Sequence, residues 1–120
     1  MKARILSIIA IAIAVHLNGL PGAFHYDDAH AIVENLALRN AANIPHFFVD
    51  PGLFSSEPSM AMYRPIVALS YALNFAMGGL SPLGYLLFNL LLHAAVAAIV
   101  FLFLAQWLAH ANAAWWGAAV

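Results

Sequence analysis

The sequence predicts an all-α membrane protein: two transmembrane helices, the start of a third, and a partly helical external loop between the first two. Composition comes first: 65% hydrophobic residues, 8% charged residues and a mean hydropathy of +0.88 leave too few charges to coat a soluble globule. Placement comes second, because long apolar runs flank a middle stretch that holds every Asp and Glu of the chain. The charge balance excludes other classes. Four Lys and Arg in all, with no basic cluster, cannot track a nucleic-acid backbone. The lack of cysteine removes a disulfide framework, a Cys zinc site and a thiol nucleophile together.

Residues 1–24 read as the first transmembrane helix. Lys2 and Arg4 precede an apolar run that passes His16 and Asn18 before Pro21-Gly22 ends it, and the basic end stays on the cytoplasmic side. A signal peptide with Ala12-Ile13-Ala14 as its cleavage site is the competing reading. The apolar character of Val15 to Phe24 favours a retained helix.

Residues 25–83 read as an external loop with short helices. Its charges are Asp27, Asp28, Glu34, Arg39, Asp50, Glu57 and Arg64, and the lack of lysine suits an outside location. Ile32, Val33, Leu36 and Leu38 recur with the spacing of an amphipathic helix from Asp28 to about Leu38, with Asp27 or Asp28 as its N-cap. Pro45 to Pro58 reads as irregular loop, with Phe47-Phe48 and Leu53-Phe54 as apolar patches. Pro65 suits a first helical turn, and Gly78-Gly79 a terminator about a dozen residues later. That helix is too short to span and belongs in the interface.

Residues 84–109 read as the second transmembrane helix, with Asn89 and His93 on one face as interhelical hydrogen-bonding groups. Residues 113–120 read as the start of a third helix with Trp115-Trp116 as an interfacial anchor, so the chain reads as the N-terminal piece of a larger membrane domain.

The candidate site is Phe24-His25-Tyr26-Asp27-Asp28. One acid can cap a helix, but two adjacent carboxylates repel and raise the pKa of one partner, and ionisable groups at the edge of a bilayer point to function. His25 and His30 flank the pair, so a divalent cation is chemically admissible. It is not favoured, because ligands this close in sequence cannot all face one ion once a helix starts there. Arg64 is the cation best suited to a phosphate. No phosphate-binding glycine loop and no Ser-His-Asp order is present.

Together, Phe24-x-Tyr26-Asp27-Asp28, Asn35, Tyr63-Arg64-Pro65-Ile66, Leu69-Ser70-Tyr71-Ala72-Leu73-Asn74, Gly79-x-x-Pro82-x-Gly84-Tyr85 and Asn89-Leu90-Leu91-Leu92-His93-Ala94 resemble the opening of GT-C glycosyltransferases. The resemblance is closest to the branch of membrane O-mannosyltransferase-like proteins that carry tetratricopeptide repeats, including their bacterial relatives. It implies a multi-pass enzyme that transfers a hexose such as mannose from a polyprenyl-phosphate donor to a protein or glycan acceptor. In that case the protein sits in a bacterial inner membrane with its acidic loop in the periplasm. It also implies Asp27 as base with Asp28 as partner; Arg64, the local cation for the leaving lipid phosphate, is the candidate substrate-binding residue together with Tyr63 and Asn35. The His-Pro-x-His-type segment and the repeats of that family are not in this sequence. Two other classes compete: an accessory membrane protein whose loop binds a partner or lipid, and a transporter piece using His16 and His93 as proton carriers.

Overall fold

The computed structural model describes residues 1–108 and 110–119. Ala109 and Val120, the last residues of the expected second and third helices, lie outside them. The described residues are helical, with no strand among them. The chain divides into two compact units, Gly22–Tyr85 and Met1–Pro21 with Leu86–Val120.

In the second of these units, α1 (Lys2–His16) continues through a 3-10 turn to Gly19, followed in the chain by α3 (Pro82–Trp107) and α4 (Ala111–Ala119). Two segments, Lys2–Gly19 and Pro82–Trp107, are long and apolar enough to span a bilayer, yet only 11% and 22% of their most apolar windows are buried. A soluble core helix would hide that surface, whereas lipid covers it at no cost. The chain is therefore an all-α membrane protein. Ile8, Ala97, Phe101 and Ala114 form the protein-facing core of this unit. Trp115 is half-buried there and donates to Ser7 Oγ at 2.8 Å, while Trp116 stays exposed.

In the Gly22–Tyr85 unit, α2 (Pro65–Gly78) packs against a series of short turns. Ala68 and Ala72 face Ala31, Ile32, Leu38, Phe47 and Phe54 in one buried cluster. Each buried Phe there contributes about 2 kcal/mol of apolar transfer. Phe47 and Phe54 thus face the core, while Phe48 stays exposed at 42%.

The helix expected over residues 28–38 is not continuous. A single π turn covers Ala29–Val33, and a separate 3-10 helix covers Leu36–Arg39. Asn35 breaks the run: its backbone is extended, its Oδ1 accepts from Ala37 N at 3.0 Å, and its Nδ2 donates to Leu53 O at 3.0 Å. Asn40 and Asp50 start the 3-10 helices Ala41–Phe48 and Pro51–Phe54 in the same way, accepting from Ala42 N and Gly52 N. Residues 45–58, expected to be irregular, are therefore largely 3-10 turns. A side-chain oxygen that satisfies the amide two residues on nucleates such a turn wherever an Asn or Asp sits.

Helix α2 opens with Pro65 at its first position and closes at Gly79, whose φ of 60° and ψ of −133° belong to a region that side chains disfavour. A Cβ at Gly79 meets nothing within 4 Å. Gly79→Ala therefore pays only the backbone penalty, and we expect a destabilisation of about 1–2 kcal/mol, read as a lower midpoint for loss of helical signal.

Candidate functional site

The site is built on the turn that joins α1 to the loop. Asp28 N–H donates to His25 O at 3.0 Å, Ala29 N–H donates to Tyr26 O at 3.1 Å, and His25 N–H donates to Asp28 Oδ2 at 3.0 Å. Neither acid caps the following turn through its side chain. The Asp28 carboxylate instead reaches back and closes its own turn. The closure forces Tyr26 to a φ of 46°, a strained conformation for a side chain of this size, costing about 1–3 kcal/mol. Strain of this kind persists where the surrounding bonds hold it, and it projects Asp27 outward.

The two carboxylates consequently differ. Asp28 is half-buried and hydrogen-bonded. The Asp27 side chain is 91% exposed, and His30 Nε2 lies 3.8 Å from its Oδ1. Adjacent acids so placed can take separate roles, one holding the backbone and the other meeting a reactant.

Beneath them lies an aromatic wall. Phe24 meets Tyr85 edge-on at 5.3 Å, and Tyr71 lies 6.0 Å from the same ring. Tyr85 is buried and donates to Gly79 O at 3.1 Å. Tyr71 connects this wall to the charges: burial pushes its phenol above the ordinary value of 10.0, Asp28 adds to the rise, Arg64 opposes it and Asp27 adds further. The acids and the cation thus act on one hydroxyl. Because the folded-state pKa is raised, Tyr71 contributes stability that is complete below the unfolded value and is lost as pH rises through the folded one. We expect the loop to loosen above about pH 10, and Tyr71→Phe to remove that alkaline sensitivity in a proteolysis assay run across pH.

Arg64 is exposed, with its guanidinium 5.7 Å from the Phe54 ring centroid. Arg39, its competitor in sequence, donates to Val33 O at 2.8 Å and lies over Phe75. Tyr63 is exposed and donates its hydroxyl to Phe48 O at 3.0 Å. Asn35 is 2% exposed, and both ends of its amide hold backbone groups of the loop. That placement makes it part of the loop's frame.

Sequence reasoning singled out His30 only as a metal neighbour and did not connect it to Ser55, whose Oγ lies 2.9 Å from His30 Nδ1. Asp27, His30 and Ser55 therefore stand in line, although no Ser-His-Asp order is legible in the chain. Ser55 is 7% exposed. Among the described residues, no three His, Asp or Glu side chains converge to hold a metal ion. Separately, His16 and His93 meet with ring centroids 4.7 Å apart beside a cavity of about 310 Å³ that Asn89 also lines. His16 Nδ1 donates to Ala12 O at 2.9 Å. Among the described residues, no Asp or Glu lines that cavity.

No protein-family model and no solved structure matches the chain. Known proteins do. Over 93 residues the chain is 41% identical to "Protein O-mannosyl-transferase TMTC2" of Mus musculus, a match covering 75% of this chain and 11% of that protein. It is 39% identical over 98 residues to "Protein O-mannosyl-transferase Tmtc1" of Drosophila melanogaster, covering 78% of the chain and 11% of the fly protein. With "Protein O-mannosyl-transferase F38B6.6" of Caenorhabditis elegans it shares 32% identity over 110 residues, 89% of the chain and 16% of that protein. The matched stretch is thus about a ninth of the length of the mouse and fly relatives. The homologues of this chain are protein O-mannosyl-transferases.

Proposed function

We propose that this chain supplies the acceptor-activating loop of a membrane glycosyltransferase of the GT-C type, which moves a hexose such as mannose from a polyprenyl-phosphate donor to a protein hydroxyl or related acceptor. The observation that carries the reading is the unequal acidic pair: Asp28 is tied into its turn, while Asp27 is 91% exposed on its side chain. The names of the relatives supply the reaction class.

The chemistry asks for two things that this loop contains. As the acceptor oxygen bonds to the anomeric carbon, its proton must leave, and an exposed carboxylate within hydrogen-bond reach takes it. The bond from the anomeric carbon to the phosphate oxygen breaks with its electron pair on the lipid phosphate, and that charge needs a fixed cation. In this reading Asp27 is the base, Asp28 and Asn35 hold the loop, and Arg64 receives the phosphate. Tyr63 beside it offers its hydroxyl oxygen as an acceptor to sugar hydroxyls, and the neutral Tyr71 phenol is a donor to sugar or phosphate oxygens. No step is assigned to a metal.

The basic Lys2 and Arg4 and the lysine-free loop support a cytoplasmic N-terminus and an acidic loop on the outer face. The bacterial inner membrane, with the loop in the periplasm, is the setting we propose. The test is transfer of mannose from a synthetic polyprenyl-phosphate donor to a serine- and threonine-containing peptide, in membranes holding the full-length protein. Transfer above membranes lacking the protein supports the reading. Transfer equal to the control, with the protein present and folded, overturns it.

A further inference from the structure

We infer that His30 is a positioning residue for Asp27, its tautomer set by Ser55; the inference rests on the proposed role of Asp27 as base. The geometry begins at Ser55, which is buried and accepts Glu57 N–H on its Oγ at 2.9 Å. With that bond accepted, the hydroxyl keeps its proton and one lone pair, and in the inferred arrangement the proton is donated to His30 Nδ1, 2.9 Å away. An imidazole that accepts at Nδ1 carries its proton on Nε2. His30 Nε2 is buried with no hydrogen-bond partner among the described residues, and the nearest acid to it is Asp27, 3.8 Å away at Oδ1.

A buried N–H without a partner is costly, which marks this one as a group with a purpose. The backbone holds it still: His30 O accepts Ser56 N–H at 2.9 Å, so both ends of the residue are tied to the Ser55-Ser56 segment. The Asp27 carboxylate, by contrast, is 91% exposed. A separation of 3.8 Å is longer than a hydrogen bond. Rotation of the exposed carboxylate by less than about 1 Å closes it, as such contacts tighten when a reactant binds. His30 then fixes one oxygen of Asp27 and leaves the other facing the acceptor hydroxyl. The other charged groups here are Asp28 and Arg64, which with Asp27 act on the Tyr71 phenol. Of the pair, Asp28 is already engaged with His25 N–H, so His30 acts on Asp27.

The experiment compares full-length wild type, Asp27→Asn, His30→Leu and His30→Gln at matched amounts of folded protein. We expect His30→Leu to lower kcat about ten-fold, the low end for an orienting partner, with KM for the donor unchanged. His30→Gln, which keeps an N–H donor, recovers most of that loss. Wild-type kcat in His30→Leu, with Asp27→Asn inactive, overturns the inference and leaves the base intact. Equal loss of folded protein in both His30 variants also overturns it, in favour of a structural histidine. Unchanged transfer in Asp27→Asn removes the base itself, a separate failure that takes the inference with it.

Discussion

Replacing Asp27 by asparagine in the full-length protein is expected to lower sugar transfer by roughly 10²–10⁴-fold, the range lost with a general base, while insertion and folded yield stay at wild-type levels. The change swaps one carboxylate oxygen for an amide nitrogen and keeps the shape. The fold does not bury the charge: the Asp27 side chain is 91% exposed. Asp28→Asn provides the contrast. Its remaining carbonyl oxygen can still accept His25 N–H, the bond that Asp28 Oδ2 makes at 3.0 Å, so activity survives within about ten-fold. Asp28→Ala removes that bond, costing about 1 kcal/mol, and releases a turn that holds Tyr26 at a φ of 46°. The measurement is donor-dependent peptide glycosylation beside a fold check by limited proteolysis. Were Asp27→Asn to lose folded protein in step with activity, the residue would be structural; were it to retain activity, the base would lie elsewhere.

Why Asp27 and Asp28 differ could not be read from the chain. The sequence marks both as unusual by their place after an apolar run, and that signal is local. Their different surroundings depend on one backbone amide three residues upstream of Asp28, which favours neither acid in one dimension. The same limit explains the helix expected over residues 28–38. Apolar periodicity there is real, since Ile32 and Leu38 are both buried in one cluster. The break between them comes from Asn35, whose amide bonds to Leu53 O, a partner that periodicity cannot see. Where the physics is local the reading held, as with Pro65 opening α2 and Gly79 closing it. The spans were legible for a similar reason: a bilayer demands apolar length, and length is written directly in the chain. Ser55 and Tyr71 carry no such signal, because a buried hydroxyl and an interfacial tyrosine are ordinary residues until their neighbours are known.

Arg64→Ala is expected to lower kcat by about 10²–10³-fold, the loss typical of one removed charge-stabilising donor, with folded yield preserved. Arg64 is exposed, and its backbone oxygen, which accepts from Ala68 N–H at 3.0 Å in the first turn of α2, survives the change. The side chain's internal partner is the Phe54 ring, 5.7 Å from the guanidinium carbon to the centroid, a contact worth only about 0.5–1 kcal/mol at an exposed site. Arg64→Lys separates charge from geometry. It keeps the positive charge but loses the planar fork that grips a phosphate with two parallel bonds, so its rate should fall between wild type and Arg64→Ala. Arg39→Ala is the control within the same loop, because that guanidinium holds Val33 O and covers Phe75; its removal should lower stability more than rate per folded molecule. If Arg64→Ala and Arg39→Ala gave the same profile, or if Arg64→Ala raised KM for the peptide alone, the phosphate would not be the partner of Arg64. A fall in kcat confined to Arg64 would support its role in receiving the lipid phosphate, within reach of the Tyr71 phenol on which it and both acids act.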